Sequence, residues 1–590
     1  MSEKILIGIP TSPGIAIGDA FLFRHDEPEF REFCVLPEGR DDEIARLEAA
    51  VQASRRQLVV LKEYMSHQAG EKVAQIFEVQ AALLDDEMLI DEVRHLIRID
   101  GTNAEAAVQR TTDALKRSFT SIEEESIRQQ AQDIHDVGRR IIQNLLGDAQ
   151  GAFKPITERM ILVADNLLPS DAAHLLEDHI HAVATDQGGA ASHTAILTRA
   201  LEVPAVVGLK HLTTLVETDD KIIVNGNSGK VIIRPTKKTL EAYVVKRRRY
   251  EDYIRSLTEV ERLPAETTDG KRVALRANLE LPQEVRSVLA RHAEGVGLFR
   301  TEYLFLAHSR LPDEEDQYRE YRHVIEALAP HPVSIRTFDL GGDKVFPDMP
   351  HPTEANPFMG WRAIRVSLDQ PKLLHTQLRA ILRAAMGYSA KIIFPLISGV
   401  GEVRLIKEHL AEVKQELFIE GQGFNSDVKI GLMIELPSAV VMADKLAKEV
   451  DFFTIGTNDL TQFTLAVDRG NERVQRYYRP LHPAMLRFIK MTIDAGHTAG
   501  IPVAMCGELA ASPLATMLLV GLGIDELSAS PVALPQVKKI IRSLSAAEAM
   551  IFAAEALSRD TEEELTEFIV TATKRRFAEL PIWFTDNGEG

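Results

Sequence analysis

From about Lys271 onward, short apolar runs alternate eight times with helical patterns, and few architectures accept that rhythm. The runs cover residues 273–275, 295–298, 333–335, 392–395, 428–434, 452–455, 503–505 and 526–527. Apolar strands of this length, separated by amphipathic helices, predict a (β/α)8 barrel. Behind the runs come Asn278, Arg300, Arg336, Ser398, Glu435, Asn458 with Asp459, Cys506 and Ser528. In a barrel these positions fall on one rim, where barrel active sites lie.

The first part of the chain reads differently. Ile5, Ile7 and Ile9, then Ile15 and Ile17, alternate around Pro10, Pro13 and Gly14, which predicts β structure with a tight turn. From Asp41 to about Gly147 the pattern is amphipathic helix almost throughout, with apolar positions such as Ile44, Leu47, Val51 and Ile76, Val79, Leu83. That predicts an all-helical insert of about four helices. Short strands then return at 160–164, 182–185, 205–208, 221–225 and 231–233. The expected organisation is multidomain α/β. Residues 1–30 and 148–235 form an α/β domain interrupted by the helical insert over 31–147, a linker helix follows over 236–262, and the barrel occupies 263–590. The basic run Lys246-Arg247-Arg248-Arg249 lies in the linker helix and reads as a solvated face.

Gly188-Gly189-Ala190-Ala191-Ser192-His193-Thr194 precedes an apolar helical stretch and so sets one imidazole at a helix start. The glycines allow positive φ in the turn, and Ser192 or Thr194 can cap. The first amides and the positive dipole end favour an anionic group there. Among 18 histidines most are surface or core residues, but His193 has the setting of a nucleophile whose phosphorylated form the backbone stabilises.

A chain of 590 residues, 45% apolar, has material for several cores. Its net charge of −19 argues against nucleic acid or an anionic membrane as main partner and favours a small basic protein. Cys34 and Cys506 lie far apart and point to a reducing compartment. The N-terminus has no extended apolar leader, and the apolar stretch from Ile501 to Ile524 is divided by Pro502, Glu508, Pro513 and three glycines into strand, loop and buried helix. A cytoplasmic protein is expected.

The rim residues define a chemistry. Arg300, Arg336 and Arg469 carry guanidinium forks that bind phosphate and carboxylate bidentately, so their convergence implies a small, highly anionic ligand. Glu435 and Asp459 beside them suit Mg2+, which takes one or two carboxylates and leaves other positions to substrate and water. A lone cysteine is commonly an inert buried residue. On this rim, however, Cys506, with an ordinary thiol pKa of about 8.5, is protonated at neutral pH and able to protonate a carbanion-like carbon. Arginines, Mg2+ and a proton donor together fit an enol phosphate. Neither a Walker phosphate loop nor a His-Glu-x-x-His zinc site is present.

Several segments together resemble phosphoenolpyruvate-protein phosphotransferase, Enzyme I of the bacterial sugar phosphotransferase system, across essentially the whole chain. They are Ser192-His193-Thr194 with Leu201-Glu202-Val203-Pro204-Ala205, Gly341-Gly342-Asp343-Lys344 and Asn356-Pro357-Phe358-Met359-Gly360-Trp361-Arg362. To these add Gly456-Thr457-Asn458-Asp459-Leu460-Thr461-Gln462 through Asp468-Arg469-Gly470-Asn471, and Met505-Cys506-Gly507-Glu508-Leu509. The resemblance implies that His193 is phosphorylated, that Arg300, Arg336 and Arg469 hold phosphoenolpyruvate with Asn458 touching it, that Glu435 and Asp459 bind Mg2+, and that Cys506 protonates the enolate. It further implies that the insert docks the small carrier protein HPr and that the barrel dimerises. Ala191 stands where the family usually has Thr, and Gln80 and Ala82 replace a His and a Met of the docking face. Pyruvate phosphate dikinase and phosphoenolpyruvate synthase share the histidine domain and barrel but add an ATP-binding domain and usually have Cys where Ser192 stands. They and a regulatory nitrogen-branch phosphotransferase are the alternatives.

Overall fold

The computed structural model describes residues 3–23, 30–69, 71–120, 125–147, 160–171, 179–189, 192–306, 311–341, 354, 356–471, 473–578 and 580. Ala190, Ala191 and residues 342–344 lie outside the described residues. The chain divides into two compact units, Met1–Tyr253 with Glu579–Gly590, and Ile254–Ala578. The division falls inside the helix Lys237–Val260, which the periodicity places at about 238–257.

The first unit is built on an eight-stranded mixed sheet. Its strands are β1 Lys4–Ile7, β2 Ile9–Ser12, β3 Ile15–Phe23, β4 Met160–Ala164, β5 Ile180–Thr185, β6 Ala205–Val207, β7 Lys221–Asn225 and β8 Lys230–Ile233. The order is β1-β8-β7-β3-β4-β5-β6-β2, parallel from β3 through β6 and antiparallel elsewhere. β1 and β2 are separated only by Gly8 yet pair at opposite edges, so the sheet curls until its edges meet. Gly8 N donates to Gly229 O at 2.8 Å, and a Cβ at this seam would press on Val207 O.

The helical insert occupies the crossover between the parallel neighbours β3 and β4, a connection that antiparallel strands do not need. Among the described residues it comprises five α-helices, against the sequence reading of about four: α1 Arg40–Ala69, α2 Glu71–Leu83, α3 Glu87–His95, α4 Ala104–Thr120 and α5 Glu125–Leu145. Helix α3 runs on into a wide π-type turn, Leu96–Asp100, that ends on Gly101 in the left-handed region (φ 67°). Leu47, Leu58, Phe77 and Ile141 of the insert share one buried cluster with Leu162, Ala164, Leu197 and Ala205 around the sheet. The insert is therefore packed on the sheet rather than hung from it.

The second unit is a closed barrel. Strands β9 Ala274–Leu279, β10 Val296–Phe299, β11 Val333–Arg336, β12 Ala390–Phe394, β13 Lys429–Ile434, β14 Phe452–Ile455, β15 Val503–Met505 and β16 Glu526–Ala529 pair in parallel in that order, and β16 returns to β9. Each expected strand is present, and the segment 501–524 is strand, loop and the buried helix Pro513–Leu522 as read. Some of the helices of this unit begin at side-chain caps. Asp313, for example, accepts from Glu315 N and Asp316 N at 3.1 and 2.9 Å to start Glu314–Leu328. Among the described residues no helix is long and apolar enough to cross a membrane.

Candidate active site

At the carboxyl ends of the barrel strands lies a cavity of about 340 Å3 lined by Arg300, Arg336, Asp339, Phe358, Arg362, Glu435, Asn458, Asp459, Arg469, Cys506 and Glu508, among others. Every barrel residue expected to bind substrate, metal or proton is in this lining. Two other rim residues act indirectly. Asn278 Nδ2 donates to Cys506 O at 3.0 Å, and Ser528 Oγ donates to Asn278 Oδ1 at 2.7 Å. Ser398 is turned to Glu402, to which its Oγ donates at 2.9 Å, and takes no part in the lining.

Arg336 ends β11, is 6% exposed, donates to Glu302 and stands 3.4 Å from Asp339. Burial alone would lower its pKa, but Glu302, Asp339 and Glu435 outweigh that and keep the guanidinium firmly charged. The strand end is braced from behind, since Thr301 Oγ1 donates to Arg336 O at 3.0 Å and Gln377 accepts from Phe338 N at 3.0 Å. Arg300 and Arg469 are more open, and pair with Glu280 at 2.6 Å and Asp459 at 3.4 Å. Asn458 is fixed by reciprocal bonds to Glu508, at 3.2 Å from its Nδ2 and 3.1 Å to its Oδ1.

The lining carries four arginines and four carboxyl groups. Glu435 Oε1 accepts from Leu396 N at 2.6 Å, and burial, with Asp459 and Asp339 next, pushes its carboxyl up to about 8. A Cβ on Gly456 would stand 2.9 Å from Glu435 Oε2, so only glycine leaves that oxygen its space. Asp459 Oδ1 is buried without a hydrogen bond in the protein. Two adjacent carboxyl groups, one raised chiefly by burial and one with an oxygen that accepts no hydrogen bond, are the donor set a hard dication such as Mg2+ prefers.

Cys506 is 2% exposed and belongs to the apolar barrel cluster with Leu298, Ile393, Met433 and Phe452. Burial lifts its thiol to about 11, well past the opposing pull of Arg336. It is therefore a protonated group facing the cavity.

His193 belongs to the first unit and opens the helix His193–Ala200. Ser192, the N-cap, accepts from Ala195 N at 3.3 Å and donates to Gly189 O at 2.9 Å, while Gly188 takes φ 108° in the turn before it. The imidazole Nδ1 lies 3.8 Å from Asp133 Oδ1 of helix α5. Gln80 of helix α2 donates to Asp133 at 3.2 Å and to Asp136 at 2.9 Å. Burial raises the pKa of Asp133 and the charge of His193 pulls it down, with the balance upward. Gln80 is 0% exposed, so it cannot stand on the docking face where the sequence comparison put it; it fastens the carboxylate behind the histidine. Ala82 is exposed.

Sequence reasoning missed Arg362 and Asp339. Arg362 Nη2 binds both Asp339 oxygens at 2.9 Å and Asp459 Oδ2 at 3.1 Å, which makes it a fourth arginine of the cavity. It follows no strand directly, and its only sequence signal is the segment Asn356 to Arg362 singled out above. Asp339 sits three residues beyond Arg336, a spacing that the strand pattern leaves unremarked.

The chain matches three family models along its length. They are the N-terminal domain (residues 7–130), the mobile domain (156–229) and the PEP-binding domain (255–546) of PEP-utilising enzymes. It is 41% identical over 576 residues to the phosphoenolpyruvate-protein phosphotransferase of Geobacillus stearothermophilus, covering 98% of this chain and 99% of that one. To the protein of the same name from Haemophilus influenzae it is 40% identical, covering 96% and 98%. An NMR solution structure of an Enzyme I protein is 36% identical, covers 42% of this chain and 99% of that one, and has a TM-score of 0.34. On those full-length matches, this chain belongs to the phosphoenolpyruvate-protein phosphotransferase family.

Proposed function

We infer that the protein transfers phosphate from phosphoenolpyruvate to His193, releasing pyruvate, and then passes it to a histidine of a small HPr-type phosphocarrier, the first step of a phosphotransferase system. The observation that carries this reading is the convergence of Arg300, Arg336, Arg362 and Arg469 on one cavity that also holds Glu435, Asp459 and Cys506. Near-full-length matches to phosphoenolpyruvate-protein phosphotransferases favour it over the dikinase and synthase readings.

Phosphoenolpyruvate carries about −2.5 to −3 charges at neutral pH, and the arginine forks suit both its phosphate and its carboxylate. Glu435 and Asp459 would hold Mg2+, which neutralises phosphate charge as a Lewis acid. Asp133 beside Nδ1 favours the tautomer with its proton there, leaving Nε2 as the nucleophile. Nε2 forms the N–P bond as the bridging P–O bond breaks, in line and with little covalent help from the protein. The enolate left behind takes a proton at carbon from the Cys506 thiol, and the thiolate is reprotonated from water. The new phosphoryl oxygens then meet the first amides of the helix His193–Ala200. The insert is the surface proposed to dock the carrier, whose expected basic character complements a net charge of −19. We place the protein in the cytoplasm, in keeping with two unpaired cysteines, and propose that it dimerises through the barrel.

The test is to incubate the protein with labelled phosphoenolpyruvate, then separately with labelled ATP, and look for acid-labile phosphate. Label from phosphoenolpyruvate alone, absent in a folded His193→Ala variant, is expected. Label from ATP, or label remaining on another histidine, would overturn the assignment.

A further inference from the structure

On the outer surface of the barrel, away from the cavity, two imidazoles face each other across neighbouring helices. His375 is on the helix Pro371–Ala384 and His409 on Val400–Ile419, and the two helices pack side by side. His375 Nε2 and His409 Nδ1 are 3.1 Å apart, with the rings inclined at 69°. Glu412, one helical turn past His409, brings Oε2 to 3.5 Å from the first nitrogen and 3.4 Å from the second. Among the described residues, this is the only place where three ligand atoms of His, Cys, Asp or Glu lie within 4.8 Å of one another.

The triangle has a recognisable size. An ion held tetrahedrally at about 2.0–2.1 Å has ligand atoms roughly 3.3 Å apart, and the three edges here are 3.1, 3.4 and 3.5 Å. His375 also has the outer contact that metal-binding histidines commonly show, since its other nitrogen, Nδ1, is 3.6 Å from Glu416 Oε1. Glu416 is itself held, its Oε2 accepting from Arg379 Nη1 at 3.3 Å. Two imidazoles and one carboxylate select zinc-like transition metals over Mg2+. Both histidines are 20% exposed, so an ion has access from solvent.

We propose that His375, His409 and Glu412 form a binding site for one zinc-class dication, separate from the cavity carboxylates proposed to hold Mg2+, with Glu416 as a positioning residue for His375 and water in the fourth position. The ion would clamp two barrel helices. One of them carries Gln377, which braces the strand end of Arg336.

The experiment titrates the full-length protein with Zn2+ against a chromophoric chelator in millimolar Mg2+, and repeats it with Co2+ to read the coordination geometry from its visible spectrum. Expected are one equivalent bound at micromolar or tighter affinity and a tetrahedral Co2+ spectrum. His375→Ala and His409→Ala should each lose that equivalent, and Glu416→Gln should weaken it about 10–100-fold. Unchanged thermal midpoints of the metal-free variants would establish that they fold. Failure to bind Zn2+, or the same stoichiometry in the His375→Ala/His409→Ala double variant, would overturn the proposal and leave a hydrogen-bonded histidine pair.

Discussion

Single side chains in the cavity make separable demands. Arg336→Lys keeps the charge but gives up the fork that Glu302 and Asp339 hold in place, and loss of one preorganised donor lowers rate by about 10²–10³. Phosphorylation kinetics from phosphoenolpyruvate will measure it, and a near-normal rate would make Arg336 structural. Cys506→Ala removes the proton but none of the charged groups, so binding of phosphoenolpyruvate in Mg2+ should survive while pyruvate formation fails. Calorimetry beside a single-turnover assay separates the two. Normal turnover, or no binding at all, would mean that Cys506 is a packing residue of the barrel cluster. A thiol lifted to about 11 also predicts that the proton stays on at neutral pH.

At the scale of elements, the insert brings a buried charge group against the sheet. Asp171, in the short helix Pro169–Asp171, is 6% exposed and accepts from Leu168 N at 2.8 Å. Burial, and then Asp136 of helix α5, raises its carboxyl to about 7 despite Arg139 and Arg140. The unfolded chain releases this proton near pH 4 while the folded chain keeps it to about 7, so folding loses stability as pH rises through that window. Asp171→Asn keeps an acceptor for Leu168 and should flatten the fall. Thermal midpoints of variant and wild type should agree below pH 4 and diverge, variant higher, toward pH 7. Parallel curves would show that the carboxyl is not raised.

Elements were also where the sequence was most readable. The eight barrel strands were legible because short, mostly apolar runs recur between helical patterns, and the deviations lie at polar positions: β9 and β16 extend through Asn278 and Ser528, which look like loop but still pair. Arg362 and Asp339 were not legible as site residues because a loop, not a strand, brings them in. Gln80 misled for another reason. Helical periodicity marks a buried face without naming its neighbour, and a polar residue on helix α2 reads as surface until Asp133 and Asp136 are found against it.

At the scale of the molecule, His193 and the cavity residues proposed to hold substrate belong to different compact units, so ligand binding and phosphoryl acceptance should be separable. Phosphoenolpyruvate with Mg2+ at about 100 times its Kd should stabilise the unit that binds it by about 2.7 kcal/mol. Hydrogen exchange should place the new protection within Ile254–Ala578, unchanged in His193→Ala. Protection confined to Met1–Tyr253 would relocate the substrate site.

The Gly8 seam bears on how the chain is made. Strands β1 and β2 are made before the other strands of their sheet, yet their partners are β8 at Lys230–Ile233 and β6 at Ala205–Val207. At 5–20 residues per second, about 10–50 s of translation separate β1 from β8. For that time Ile5 and Ile7 of β1 have no strand to pair with, so the first strand of this sheet to be made waits for the last.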